Sequence, residues 1–440
     1  MKHLEEIKFY CFIGIMLLFS ACANDDVAGN GSEITEELSD EELLELVQEQ
    51  TFKYFWDFAG TNSGLARERS QAAAYGGESR NIVTMGGSGF GLAAFPVAVE
   101  RGWITKTQAV ERLEKILNFL ETVPTYHGAF SHWYLDNTLQ TMPFGNMDDG
   151  GDLVETAFLM QGLLINRQYF ATETSIVNRI TALWEAVEWD WYTKGENVLF
   201  WHWSPNSGFQ KNLKIQGWNE ALMTYVLAAS SPTHPISPNV YHQGWAMNGN
   251  IVTNRNHYGR TIPLGRNFGG PLFFAHYSFI GLDPRKLSDR YANYWQQNKA
   301  HSLVHYYYSI ANPNNFAGYN ENSWGLTASD SYQGYEAHSP TNDKGVITPT
   351  AALSSFPYTP VESMRALRYF YKHQGGKLWG PYGFYDAFSE EHNWVANGYL
   401  AIDQGPIISM IENYRTGLVW DLFMADEEIQ AGLTRLDFNY

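Results

Sequence analysis

Four carboxylates fall within eight residues, in the stretch from Asp148 to Glu155. If this stretch is helical, Asp148, Asp152 and Glu155 have the spacing i, i+4 and i+7 and share one face. Like charges on one face repel, and in a cleft they raise at least one pKa. Such a group can bind hydroxyls or move protons. The alternative is a helix start, because acids interact well with the helix dipole; this explains Asp148 and Asp149 but explains Glu155 less well.

A second candidate for acid–base chemistry is Glu220, which follows Trp218 and Asn219 and precedes an apolar helical segment. Partial burial beside Trp218 would raise the pKa of this carboxyl, as a general acid requires. The alternative is that Glu220 only caps the helix. Asp403 is a further candidate base or binding residue; its alternative is a turn residue ahead of a helix that starts at Pro406.

Aromatic residues make up 15% of the 440 residues, and many stand beside Gly, Asn, Asp or His. Aromatic faces stack on sugar rings, and the polar neighbours bind hydroxyls. Any one of these residues also fits a core aromatic with a polar tip, but together they favour a sugar cleft. The candidate sugar-binding residues are Asp149, His132, Trp133, Tyr134, Trp201, Trp203, Trp218, Arg67 and Asp403.

The charge balance restricts the possible ligands. With 29 basic and 47 acidic residues the net charge is −18, which argues against nucleic acid and against a strongly anionic polysaccharide. The acidic stretch lacks the EF-hand spacing. His132, His202 and His242 lack the spacing of paired metal ligands, so hydroxyl-binding or structural roles are favoured for them. We therefore expect no metal and no cofactor.

The first 22 residues have the pattern of an export signal. Lys2 and Lys8 flank the apolar run from Phe9 to Phe19, which is too short to span a bilayer but suits a signal peptide. The following Ser-Ala-Cys resembles a bacterial lipobox, which predicts lipid attachment at Cys22. The other cysteine, Cys11, lies inside the signal, so the mature chain would hold no disulfide.

Residues 23–38 are polar and acidic, which predicts a flexible tether. Asn24-Asp25-Asp26 resembles an acidic export signal of surface lipoproteins. We expect an outer-membrane lipoprotein, at the cell surface or in the periplasm, that touches the membrane only through its lipid. Residues 39–440 are expected to form one domain, and the protein is expected to be a monomer.

Helical periodicity recurs roughly every thirty to forty residues, between loops rich in Gly, Pro, Asn and Trp. A capping box at Ser39 and a cap at Thr105 predict two helix starts, and Gly86 to Gly91 would form the entry to a helix over 92–101. Other helices are predicted at 177–187, 220–229, 271–280, 288–309, 361–371, 393–401, 406–416 and from 425 onward. This pattern predicts an all-α fold, a toroid of paired helices.

Six motifs occur together in one order: Thr51-Phe52-Lys53-Tyr54-Phe55-Trp56, Gly86-Gly87-Ser88-Gly89-Phe90-Gly91, Ser131-His132-Trp133-Tyr134, Asp148-Asp149-Gly150-Gly151-Asp152-Leu153-Val154-Glu155, Gly217-Trp218-Asn219-Glu220 and Asp403-Gln404-Gly405-Pro406. The ordered set resembles the bacterial glucoamylase-like family, and within it glycoside hydrolase family 144, the β-1,2-glucanases. The resemblance covers nearly everything from Leu43 to the C-terminus.

The resemblance implies an (α/α)6 barrel with an acidic cleft at one end. It implies inverting hydrolysis of β-1,2-glucan, either internally or by release of sophorose from a chain end. Glu220 would be the general acid. The base remains open among Asp148, Asp152, Glu155 and Asp403.

Two other functions fit parts of the sequence. A polysaccharide lyase on a similar toroid would need cations beside a uronate, for which the candidates are Arg67, Arg69, Arg255, Arg260 and Arg266. The overall acidity argues against this class. A non-catalytic glycan-binding lipoprotein would need the aromatic residues, but not Glu220 together with the acidic stretch.

Overall fold

A computed structural model describes residues 37–71 and 81–440. The predicted signal peptide, the predicted lipidation site at Cys22 and all but the last two residues of the predicted tether lie outside the described residues. Asp40–Tyr440 forms one compact unit. No helix in the described ranges combines the length and apolarity needed to cross a bilayer.

The described residues are rich in helix. The α-helices are α1 (Asp40–Trp56), α2 (Met85–Glu100), α3 (Lys106–Leu120), α4 (Leu153–Tyr169), α5 (Thr174–Glu185), α6 (Leu222–Ser230), α7 (Tyr294–Ala311), α8 (Pro349–Leu353), α9 (Pro360–Lys372), α10 (Gly375–Leu378), α11 (Ala401–Arg415), α12 (Leu418–Met424) and α13 (Glu427–Arg435).

The strands are short and form one three-stranded sheet, in the order β1-β2-β3, and five antiparallel pairs. They are β1 (Ile82–Thr84), β2 (Trp133–Leu135), β3 (Thr141–Met142), β4 (Gly151–Asp152), β5 (His202–Trp203), β6 (Val252–His257), β7 (Arg260–Leu264), β8 (Ala328–Ser329), β9 (Glu336–Ala337), β10 (Trp379–Gly380), β11 (Gly383–Phe384), β12 (Phe388–Ser389) and β13 (Trp394–Val395). Strand β1 directly precedes α2, β4 directly precedes α4, and β10 directly follows α10.

Helices α2, α4, α6 and α11 are buried over most or all of their length. A helix that is apolar all round belongs in a protein interior. By contrast, α3, α5, α9 and α13 bury one face only, as surface helices do. The chain therefore has an inner set of buried helices covered by an outer amphipathic set.

Glycines let the two central helices, α2 and α4, pack backbone against backbone. A Cβ at Gly89 of α2 would lie 2.0 Å from the main-chain oxygen of Phe158, and a Cβ at Gly162 of α4 would lie 2.1 Å from the main-chain oxygen of Gly89. The expectation that Gly86 to Gly91 form an entry loop is therefore wrong. These residues belong to α2 and are buried, because close helix packing requires the absence of side chains.

Several other helix predictions need correction. The predicted helix at 271–280 consists of two short 3-10 turns, Leu272–Ala275 and Ser278–Ile280. The predicted helix at 393–401 is replaced by strand β13, which pairs with β12. Pro406 lies inside α11 and does not begin it. The predicted cap at Thr105 is confirmed, and it is a capping box with reciprocal bonds to Gln108.

Candidate active site

A cavity of about 380 Å³ lies between the start of α4, strand β5 and the segment before α6. We call it the acidic cavity. Its lining includes His132, Trp133, Asp148, Asp152, Glu155, Trp201, His202, Lys211, Glu220 and Tyr277. The acidic stretch and Glu220, which are distant in sequence, therefore face one space.

Asp152 is the anchor of the acidic stretch. It ends strand β4 and caps helix α4, and its Oδ1 accepts hydrogen bonds of 3.0 Å from the backbone N–H groups of Val154 and Glu155. Its Oδ2 lies 3.1 Å from His132 Nδ1. The expectation of three acids on one helical face is therefore wrong, because the helix begins only at Leu153. The acids meet in space through a strand, a cap and a first helical turn.

Glu155 points from the first turn of α4 toward helix α2. Its Oε2 accepts a hydrogen bond of 2.8 Å from the backbone N–H of Gly86. A Cβ at Gly86 would lie 2.4 Å from this oxygen, so a glycine is needed there. Burial raises the pKa of Glu155, against the lowering effect of His132. Its Oε1 faces His132 Nε2 at 3.8 Å.

His132 connects two of these carboxylates. The pairing of β1 with β2 places its main chain against the start of α2, where His132 O accepts a 3.1 Å bond from Met85 N. Burial alone would lower the pKa of the imidazole. The charge of Glu155 and the bond to Asp152 outweigh this and raise it to about 9. His132 is therefore a cation near neutral pH and offsets part of the negative charge.

Asp148 lies in the loop before β4 and is buried. Its Oδ2 accepts a bond of 2.8 Å from Lys211 Nζ, and its Oδ1 lies 3.1 Å from His202 Nδ1. Burial would raise the pKa of Asp148, but His202 and Lys211 together lower it to about 2. The β4–β5 pair sets Asp152 opposite His202, which explains how this histidine reaches the site.

Glu220 stands two residues before α6, so it does not cap the helix; the cap position is Ala221. Its main-chain oxygen accepts a hydrogen bond from the Ser278 hydroxyl, which also accepts a 2.9 Å bond from Met223 N. Burial raises the pKa of the Glu220 carboxyl to about 7, and the charges of Glu155 and Asp152 act in the same direction. Glu220 can thus hold a proton near neutral pH.

Asp403 belongs to a second group of buried charges next to the acidic cavity. Its Oδ1 accepts a 3.3 Å bond from the hydroxyl of Tyr277, a cavity-lining residue. Burial raises the pKa of Asp403 to about 7, and burial with the charge of Asp403 raises the pKa of Asp386 well above its usual range. Asp386 accepts a 2.7 Å bond from Asp330 N, and the Asp330 carboxylate pairs with Arg69 at 3.0 Å.

The other predicted sugar-binding residues divide into two groups. Trp133 and Trp201 line the acidic cavity with His132. The remaining candidates are absent from its lining and have structural contacts: Asp149 with Asn206, Tyr134 with Pro124 O, Trp203 with the His127 ring, Trp218 with Phe279 and Tyr294, and Arg67 with Phe58.

One group in the described residues has the spacing of metal ligands: Asp148, Asp152 and His202, whose ligand atoms lie within 4.8 Å of one another. The oxygens that would bind an ion already have cationic partners. Lys211 lies 2.8 Å from Asp148, and His132 lies 3.1 Å from Asp152. The charges of the site are thus compensated by side chains, and the prediction of a metal-free site stays a prediction.

Sequence reasoning did not single out Lys211, Tyr277 or Asp386 as site residues. Lys211 and Asp148 are 63 positions apart, and Tyr277 and Asp403 are 126 apart. No local spacing signals such pairs. The signal available was chemical: Tyr277 and Asp386 occur in segments rich in aromatic residues and glycine.

Comparison with known proteins places the chain in a family. The Glycoamylase family model, described as "Putative glucoamylase", matches residues 212–427. A second family model, described as a protein of unknown function, matches residues 47–189.

Individual relatives agree with these matches. The chain is 44% identical over 431 residues to an exo β-1,2-glucooligosaccharide sophorohydrolase (non-reducing end) of Parabacteroides distasonis; this covers 92% of the chain and 59% of that protein. The chain thus spans less than two thirds of this relative's length.

Solved structures extend the comparison. An endo-β-1,2-glucanase from Chitinophaga pinensis, in complex with sophorotriose and glucose, is 52% identical, with a TM-score of 0.90 over 92% of this chain and 99% of that one. An endo-β-1,2-glucanase from Talaromyces funiculosus, in complex with sophorose, is 11% identical, with a TM-score of 0.65 over 91% of each chain, which shows similarity of fold alone. The predicted family resemblance is confirmed: the chain belongs to the glucoamylase-like family that includes the β-1,2-glucanases of glycoside hydrolase family 144.

Proposed function

We propose that this protein is a glycoside hydrolase that cleaves β-1,2-glucan with inversion of configuration. One observation carries the proposal: Glu220, with a pKa raised to about 7, lines the same cavity as Asp148, whose pKa is lowered to about 2, and as Asp152 and Glu155. Inverting hydrolysis needs a protonated carboxyl at the glycosidic oxygen and a carboxylate that activates water on the opposite face of the sugar. The 52% identical relative is a β-1,2-glucanase, which supports the choice of linkage.

Glu220 is the proposed general acid, because burial keeps its proton near neutral pH. Asp152 is a proposed positioning residue, since both of its oxygens already accept hydrogen bonds. Glu155 and Asp148 remain the base candidates in the acidic stretch. Glu155 has the fewer partners, with one oxygen bonded to Gly86 and the other 3.8 Å from His132.

Product analysis on linear β-1,2-glucan tests the proposed reaction. The wild-type protein should release sophorose or longer oligosaccharides, and Glu220→Gln should lose most of this activity while keeping its melting temperature. Intact polymer after incubation with folded wild-type protein would contradict the proposal. Glu155→Ala and Asp148→Ala, each assayed with and without azide, would identify the base, because a small anion can replace a missing base carboxylate.

The site favours hydrolysis over the lyase reaction. A lyase that acts in the acidic cavity would need a cation there that is free to neutralise a uronate. Lys211 pairs with Asp148, and Arg69 pairs with Asp330 and Glu68, so these cavity cations already face carboxylates. Absence of ultraviolet-absorbing unsaturated products would agree with this choice.

We propose that the inner and outer helix sets form an (α/α)6 toroid. The buried α2, α4, α6 and α11, covered by amphipathic α3, α5, α9 and α13, support it. The structural likeness to the glucanase from Talaromyces funiculosus agrees. An experimental structure in which six helix pairs close a ring would test it.

We further propose that a monomeric protein is anchored in the outer membrane through a lipid on Cys22. The support is the sequence alone, a short apolar signal followed by Ser-Ala-Cys. Labelling with a fatty acid in the native host should mark the wild-type protein but not Cys22→Ala. Equal labelling of both would contradict the anchor.

A further inference from the structure

A second cavity, of about 460 Å³, adjoins the acidic cavity at Glu220. Trp201, Glu220 and Phe273 line both spaces. We call the second space the neutral cavity, because Glu220 is the one carboxylate among the described residues that line it. The proposed general acid thus stands at the boundary between two different chemical environments.

The orientation of the glucan chain across the two cavities follows from the proposed hydrolytic reaction, on which this inference rests. In inverting hydrolysis the acid protonates the leaving oxygen, and the base and water act on the opposite face of the sugar being cleaved. The base candidates lie in the acidic cavity, so that cavity holds the sugar whose bond breaks. The leaving portion of the chain must then extend past Glu220 to its other side, where the neutral cavity lies.

The neutral cavity is equipped to bind a neutral sugar. The Arg266 guanidinium lies over the Phe274 ring, 5.4 Å from its centroid. Among the described residues no carboxylate lies within ion-pair distance of Arg266, and the residue is exposed. The planar guanidinium can donate two parallel bonds to neighbouring hydroxyls. The side-chain oxygen of Asn219 accepts a 2.9 Å hydrogen bond from Ala221 N. Its amide NH2 group is therefore available to donate hydrogen bonds to a sugar.

We propose that the neutral cavity binds the leaving-group portion of the glucan, and that Arg266 recognises its hydroxyls. Arg266 is then a specificity residue for the length of chain beyond the cleaved bond. Two features support this assignment: the cavity is shared at Glu220, and Arg266, the one cation among the described residues that line it, forms no ion pair with a carboxylate.

The test compares two substrates that differ only in their leaving group. One is a β-1,2-glucooligosaccharide of five glucose units. The other is methyl β-sophoroside, whose methanol leaving group has no sugar hydroxyls but, like a sugar, needs the proton of Glu220. The ratio of kcat/KM for the oligosaccharide to kcat/KM for the methyl substrate should fall about tenfold in Arg266→Ala, as expected for loss of charge-assisted hydrogen bonds at a partly exposed site. Because both leaving groups need protonation, an effect of the lost charge on Glu220 acts on both substrates and largely cancels in the ratio.

Arg260→Ala is the matched control. Arg260 lies on strand β7, six residues away, with its guanidinium 5.5 Å from the Tyr307 ring centroid, and it lines neither cavity. Its ratio should equal that of the wild type. The ratio for Arg266→Lys should lie between those of wild type and Arg266→Ala, because lysine keeps the positive charge but cannot donate two parallel hydrogen bonds.

The outcomes separate the two proposals. If wild type cleaves both substrates and Arg266→Ala leaves the ratio unchanged, the leaving-group assignment is overturned and the proposed hydrolase function stands. If folded wild type cleaves neither substrate, the proposed function itself is wrong, and this assignment falls with it.

Discussion

His132 should give the fold a pH dependence that one substitution removes. Its Nδ1 lies 3.1 Å from Asp152 and its Nε2 3.8 Å from Glu155. Burial alone would lower its pKa, but these carboxylates raise it from 6.5 to about 9. A tenfold change in proton affinity corresponds to ~1.36 kcal/mol, so this difference is worth about 3 kcal/mol.

The sign follows from proton binding. The folded protein holds the His132 proton more tightly than the unfolded chain does. The stabilisation is therefore fully present below pH 6.5 and is lost as the pH rises through about 9. His132→Gln removes this titration. The free energy of unfolding of the wild type should exceed that of the variant below pH 6.5, and the excess should shrink by about 3 kcal/mol at high pH.

Chemical denaturation followed by tryptophan fluorescence, at about pH 6 and about pH 9.5, measures this difference. The control is His373→Gln, since His373 is exposed and distant in sequence from the acidic stretch. A difference between wild type and His132→Gln that stays constant across this range would refute the reasoning, because it would show that the imidazole does not hold an extra proton between the two carboxylates.

Three further predictions concern catalysis and packing. Glu220→Gln should reduce kcat by roughly 10²–10⁴-fold, and the wild-type kcat/KM should fall as the pH rises above about 7, where the acid loses its proton. Lys211→Met should raise the pKa of Asp148, because the ammonium 2.8 Å away helps to hold that pKa low. The acidic limb of the pH profile should then move upward if Asp148 is the base and stay in place if Glu155 is the base. Gly162→Ala should lower the free energy of unfolding by about 2 kcal/mol or more, since the new methyl would lie 2.1 Å from a backbone oxygen of α2. The control variant is Gly376→Ala, whose added methyl would contact nothing within 4 Å. Thermal melting of the two variants measures the difference, and equal melting temperatures would contradict the prediction.

The sequence predicted the acidic stretch as a unit, because its members are close along the chain. Placing them on one helical face was wrong, since Gly150 and Gly151 let the chain enter a short strand before α4. Asp152 therefore became a cap. The spacing of the acids along the chain thus predicted that they lie close together but not the secondary structure that holds them.

The mostly amphipathic helices α3, α5 and α13 were predictable because one apolar face alternates with a polar one. The buried helix α2 was predicted only in its second half. A helix packed on all sides needs no amphipathic period, and its glycines look like a loop in sequence although they serve close packing.

The partners that set the charge of the site were beyond sequence reasoning. Arg69 pairs with Asp330 across 261 positions, and Lys211 reaches Asp148 from a loop after β5. Such pairs depend on the whole fold. His202 and Lys211 hold the pKa of Asp148 low, so the charge of this acid could be assigned only from the structure.

The configuration of the first product tests the central claim most directly. Proton NMR during the first minutes of β-1,2-glucan hydrolysis should show the α-anomer at the new reducing end before mutarotation, because inversion at a β-linkage gives that anomer. Initial appearance of the β-anomer would contradict the two-carboxylate inverting mechanism with Glu220 as general acid.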